Sequence, residues 1–185
     1  MVHPVVTPFS KVYDLFFTMV TDDMYMEMTK EDTEKIVEKL LIAAIPWFEF
    51  PRVSLAYTPQ TIADITTIGP DDETPEESEM VIPGHFDAEL SDEELRILAT
   101  YMIVQWLTQQ IATVELVREK YSGSDFKFTS QANHIQKLLQ LKKDYEREGF
   151  HLQRLYGRRK RDENGIYRSM MGKIMNTPGS WGVKL

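Results

Sequence analysis

The sequence contains no cysteine among its 185 residues. That excludes a disulfide-stapled scaffold, a cysteine-ligated zinc site and a thiol nucleophile. Long apolar runs are missing as well. The longest clean one, Leu40–Ile45, falls far short of the roughly 20 residues needed to cross a bilayer. No basic stretch followed by an apolar run opens the chain, so no secretory leader is expected. The sequence holds no G-x-x-x-x-G-K-[ST], no G-x-G-x-x-G and no G-x-S-x-G, and with them go the usual phosphate cradles and the nucleophile elbow. Positive charge is in deficit, with 21 Lys and Arg against 29 Asp and Glu, a net charge of −8. A protein that coats nucleic acid over its whole surface is thereby disfavoured. What is present is 42% hydrophobic residues, enough with glycine for a packed core, which excludes wholesale disorder. The length suits one domain, or one domain with an arm.

The net charge conceals a division. Residues 150–185 hold eight basic and two acidic residues, a charge of +6, which leaves 13 basic and 27 acidic residues, or −14, for residues 1–149. An acidic body with a basic tail is a different object from a uniformly acidic protein. The sharpest acidic run, Asp71–Glu79, has six acids in nine residues and no apolar side chain, so a solvated loop is expected there.

Apolar spacing predicts a mainly α fold. Phe9, Val12, Tyr13, Phe16, Phe17 and Val20 follow helical spacing. Thr29, followed by Glu31 and Asp32, reads as an N-cap with acids in the first turn. The stripe from Ile36 to Ile45 follows, and Pro46 stops it. Phe48–Tyr57 alternates imperfectly and predicts an edge strand, with Met80–Ile82 and Phe86 as its partner. Residues 58–88 read as a long loop insertion.

Ser91-Asp92-Glu93-Glu94 matches a capping box. The helix behind it extends to about Tyr121, and a second long helix starts near Thr129 and ends before Gly157. Matched lengths and a turn at Ser122-Gly123-Ser124 predict an antiparallel αα-hairpin. The expected architecture is a helical bundle on that hairpin, with a small β-hairpin or loop insertion at about 58–88. Residues 1–157 form the helical domain and 158–185 an extended basic arm.

Candidate chemistry is sparse. No two of His3, His85, His134 and His151 share a helical face, so no paired metal ligand emerges. Asp71–Glu79 lacks the spacing of a calcium loop. We therefore expect no catalytic residue, no metal site and no cofactor. The surface offers more. Tyr101–Leu107 carries large side chains around more than one helix face, and Tyr101, Gln105 and Trp106, with Asn133 and His134, are candidates for a subunit interface. The arm combines Arg158, Arg159, Lys160, Arg161 and Arg168 with Ile166, Tyr167, Met171 and Trp181. A solvated tail would be polar, so this composition predicts docking on a partner. Contact with nucleic acid through Arg158–Arg161 is the rival reading, and a metal-dependent enzyme built on Asp71–Glu79 and a histidine is a third.

The stretch Leu90-Ser91-Asp92-Glu93-Glu94-Leu95-Arg96-Ile97-Leu98-Ala99, the helix through Met102–Leu107, and the block Ser130-Gln131-Ala132-Asn133-His134-Ile135 resemble the head–tail connector (adaptor, neck or head-completion) proteins of tailed bacteriophages. The resemblance covers about a third of the chain. It implies a structural virion protein at the head–tail interface, assembled in the host cytoplasm with no membrane partner. It implies a ring, typically of twelve copies, joined to the portal through a C-terminal arm. A downstream neck or tail protein would bind its other face, and DNA would pass through the channel without sequence-specific binding. An acidic lining would repel phosphates and let the duplex slide.

Overall fold

The computed structural model describes residues 6–20, 25, 27–67, 76–120, 128–161 and 167–169. Four helices make most of it. Helix α1, Ser10–Met19, buries Val12 and Phe16 one turn apart. Its N-cap position is taken by Phe9, whose side chain makes no cap bond. That ring is buried instead, packed edge-on against Phe86 at 4.9 Å between centroids. Helix α2, Lys30–Ala44, is capped as its sequence predicts: the Thr29 hydroxyl accepts from the Asp32 N–H, and Glu31 and Asp32 occupy the first turn. Its buried stripe is Val37, Leu40, Leu41 and Ala44. Pro46 ends it, and Ile45–Trp47 tightens into a 3₁₀ turn.

The two long helices are α3, Asp92–Lys120, and α4, Phe128–Arg158. They pack antiparallel as the expected hairpin, and α1 and α2 lie against α3 as well. Position explains burial here. Every residue from Ile97 to Val104 is buried, because α3 has partners on several sides. Helix α4 has a single packed face and carries its charges on the other. The capping box of α3 is present in altered form. Glu94 accepts from the Ser91 N–H at 2.7 Å and from the Ser91 hydroxyl at 2.8 Å.

A small antiparallel sheet closes one end. Strand β1 (Thr7–Pro8) and β2 (Tyr57–Thr58) flank β5 (His85–Phe86), with Phe86 opposite both Thr7 and Tyr57. Buried Thr7 ties the sheet to α3. Its hydroxyl donates to the Ala88 carbonyl and accepts from the Leu90 N–H, both at 2.9 Å.

Four expectations need correction. The predicted strand over Phe48–Tyr57 is irregular until Tyr57, because Pro51 and the side-chain contacts of this segment leave no ladder to join. The partner of Met80–Ile82 is Thr61–Ala63 and not the Phe48–Tyr57 segment: residues 61–67 (β3) and 76–82 (β4) form their own hairpin within the insertion expected as a β-hairpin or loop. Glu76, Glu77 and Glu79 of the acidic run therefore lie in a strand, while Asp71–Pro75 lies outside the described residues. Helix α4 runs through Gly157 to Arg158, and the arm opens as a hairpin: β6, Arg159–Arg161, pairs antiparallel with β7, Tyr167–Ser169. The arm beyond Ser169, called extended from sequence, lies outside the described residues.

Candidate partner-docking site at the root of the arm

The arm leaves the body at a buried polar cluster. Tyr156, in the last turn of α4, is 2% exposed and Glu94, in the first turn of α3, is 3% exposed. The Tyr156 hydroxyl donates to Glu94 Oε1 and accepts from the backbone N–H of Arg52 at 2.8 Å. The Arg52 guanidinium donates to the Tyr156 carbonyl and lies 4.0 Å over the Tyr156 ring. Phe48 closes the other side, its ring centroid 5.4 Å away. One step along the chain, Arg159 reaches Glu93 at 3.6 Å. Adjacent acids at the start of α3 thus hold adjacent parts of the arm root, one through a buried hydroxyl and one through a surface ion pair. The end of α4 is also a place where exposed carbonyls favour a cation, and Arg52 and Arg158 supply them.

Electrostatics locks the same geometry. Burial, then the hydrogen bond to Glu94, push the Tyr156 hydroxyl above its ordinary value of 10.0, against the opposing Arg52 N–H. The phenol stays protonated, as a donor to a carboxylate must. A second set of bonds lies one turn back. Gln153 donates to the Trp47 carbonyl at 2.9 Å and to the Tyr101 hydroxyl, and its carbonyl accepts from the Glu49 N–H at 3.0 Å. One face of α4 thereby straps the irregular segment 47–56 to α3. Each polar group of the cluster is satisfied within the chain, so the arrangement fixes a geometry. Among the described residues no group of three or more His, Asp or Glu side chains is placed to hold a metal, and no helix is long and apolar enough to cross a membrane.

The residues singled out from sequence fall in three places. Arg158 ends α4, Arg159, Lys160 and Arg161 form β6, and Tyr167 and Arg168 lie in β7, where Lys160 faces Arg168 and Arg161 faces Tyr167. Ile166, Met171 and Trp181 lie outside the described residues. Of the proposed interface set, Tyr101 is buried within its own chain, and Gln105 and Trp106 are half-buried on α3. Trp106 Nε1 is buried without a hydrogen-bond partner among the described residues. Asn133 and His134 are exposed near the start of α4. Tyr101 is bonded to Gln153, 20 residues after Asn133, so about 30 Å of helix separates Tyr101 from Asn133, and Gln105 and Trp106, one turn along α3, are still about 20 Å away. The structure does not gather them into one patch.

Comparison with family models, curated proteins and solved structures finds no match.

Sequence reasoning missed Arg52 and gave Glu94 an ordinary role, as a cap. Arg52 and Tyr156 stand 104 positions apart and Glu94 and Tyr156 stand 62 apart, so no local spacing could signal the cluster.

Proposed function

We propose that this chain is a structural assembly protein, a head–tail connector of a tailed bacteriophage, whose basic arm engages the portal and whose helical hairpin packs beside its neighbours in a ring around the DNA channel. The observation that carries the reading is the root of the arm. A tail rich in arginine, methionine and aromatic residues leaves from a buried, fully bonded seam between the start of α3 and the end of α4. A docking element gains from such a base, because less conformational freedom remains to be lost on binding. The resemblance of Leu90–Ile135 to connector proteins supplies the assembly, and the acidic body suits a channel that DNA must traverse. In this reading the protein works in the virion and is not an enzyme.

The test uses a chain ending at Ser169. It keeps Tyr156, Arg159 and the β6–β7 hairpin, so the body stays intact while the Met- and Trp-bearing segment is lost. Binding to a portal protein from the same phage is expected to fall at least tenfold by sedimentation or interferometry. Unchanged binding would sink the arm's assigned role.

A second reading, a nucleic-acid-binding regulator, draws on one observation. Strand register places Arg168 opposite Lys160 on the same hairpin as Arg159 and Arg161, so four basic residues fall on two short paired strands. It requires the logarithm of the DNA affinity to fall steeply with the logarithm of salt, by about 0.9 per phosphate contacted. The connector reading expects weak binding that ignores sequence.

A further inference from the structure

Beside the arm root lies an open groove of about 420 Å³ lined by Pro46, Trp47, Glu49, Tyr101, Glu146 and Phe150. Its floor is the Tyr101 side chain, with Trp47 leaning on it at 5.8 Å between ring centroids. Its walls are apolar and exposed, Trp47 at 45% and Phe150 at 56%. Two carboxylates belong to it. Burial raises the Tyr101 hydroxyl above its ordinary value, the Gln153 hydrogen bond opposes this, and Glu49 and Glu146 raise it further. Both charges therefore act on the groove floor. Two cations contact residues of its lining. Lys142 pairs with Glu146 at 3.7 Å, and Arg154 lies 5.9 Å from the Phe150 ring centroid. Glu49 enters no ion pair among the described residues.

Aromatic walls beside carboxylates suit a segment that offers cations and apolar side chains together. The chain has one. Residues 170–185 carry Lys173 and Lys184 among Met170, Met171, Ile174, Met175, Trp181 and Val183, and no acid occurs after Glu163. Reach is sufficient. Strand β7 returns the chain to the level of Arg159, where Ser169 pairs with it. From there the groove lies nine to thirteen residues back along α4, about 14–20 Å. The sixteen residues that follow Ser169 extend up to about 53 Å. A tethered segment that spans its site binds at an effective concentration in the millimolar range, which favours the chain's own tail over any free copy of it.

We propose that residues 170–185 dock in the Trp47–Phe150 groove of their own chain, with apolar side chains on the two rings and a lysine at Glu49. The arm is then parked in the free protein and is released when a partner competes for it. This holds whatever that partner is.

The absence of cysteine makes the test clean. A nitroxide on Ser180→Cys, in chain enriched with nitrogen-15, is expected to remove most amide signal intensity at Trp47, Glu49 and Phe150. An equimolar mixture of spin-labelled chain without the isotope and isotope-enriched chain without the label should leave those signals intact. Broadening in the mixture would assign the groove to a second copy's tail and overturn the proposal, as would intact signals in both samples. In the double variant Glu49→Lys, Phe150→Ser, whose two positions are exposed, the intensities should recover. Broadening that survives there refutes docking on these groups.

Discussion

Replacing Tyr156 with Phe removes one oxygen from the arm root and leaves the ring, its contact with Phe48 and its place under Arg52. Two hydrogen bonds vanish. One ran to the buried Glu94 carboxylate, the other came from the Arg52 N–H. A hydrogen bond to a charged group contributes about 1.5–3 kcal/mol, and a buried partner left unmet costs about the same. Glu94 keeps its two bonds from Ser91, so its other oxygen alone is orphaned. The Arg52 backbone sits nearer solvent and recovers part of its loss from water. The expected net cost is about 2–3 kcal/mol, which lowers the melting temperature by roughly 4–12 °C for a chain of this size. Circular dichroism melts and urea titration read it directly. Glu94→Gln presents an amide to the Ser91 donors, and the double variant should cost clearly less than the two single changes added, because both break one bond. A Tyr156→Phe melt within about 2 °C of the parent, or strictly additive costs, refutes the clamp.

Two glycines on α4 make a matched pair. A Cβ at Gly149 would lie 2.7 Å from the Tyr101 ring, while one at Gly157 meets nothing within 4 Å. Gly157→Ala should stabilise by about 0.5–1 kcal/mol through helix propensity. Gly149→Ala should be about 1–3 kcal/mol worse than that, because the ring is pinned by Gln153 and Trp47; equal melting temperatures would contradict the close approach. Gly84→Ala should likewise destabilise, since its Cβ would fall 2.5 Å from the buried Phe9 ring, and the loss should appear in the near-ultraviolet signal of the aromatics. Tyr13, Tyr101 and Tyr156 all hold their protons more tightly when folded than at their ordinary value of 10.0. Their contribution to stability is therefore constant below about pH 10 and is lost as pH rises from there toward the folded values. Tyrosinate absorbance in an alkaline titration should show a step coincident with unfolding. Arg159→Ala should cost at most about 1 kcal/mol, since its pair with Glu93 is partly exposed.

The sequence showed the helices because they announce themselves locally. Thr29 and Ser91 cap within three residues, Pro46 stops α2 within one, and the Leu and Ile stripes repeat every turn. Matched lengths were enough to expect the α3–α4 hairpin, while the turn read at Ser122-Gly123-Ser124 lies outside the described residues. The strands were harder. Thr61–Thr67 and Glu76–Ile82 are linked by Pro, Gly and acids, so composition spoke for a loop while pairing across the turn made a hairpin. The same happened after Arg158: basic and apolar residues read as an extended arm, although Arg159–Arg161 and Tyr167–Ser169 pair as strands. The clamp stayed hidden because it joins three distant segments, and Arg52 in particular sits in a stretch whose only local signal was a broken alternation.

Burial along the helical hairpin is uneven, and this has a mechanical consequence. On α3 the last buried residue among those whose side chains are described is Ile111, with about two further turns beyond it. Toward that end Leu139 and Leu141 of α4 are 40% and 43% exposed and Leu116 of α3 is 66% exposed, while Ile135 of α4 stays buried at 7%. The hairpin is thus a mast, set in a four-helix base at one end and only two helices thick at the other. Opening free energy should fall along it, with amide exchange slowest around Met102 and fastest toward the turn. Such a gradient lets the outer end bend to meet a neighbour while the base, where the arm is rooted, keeps its shape.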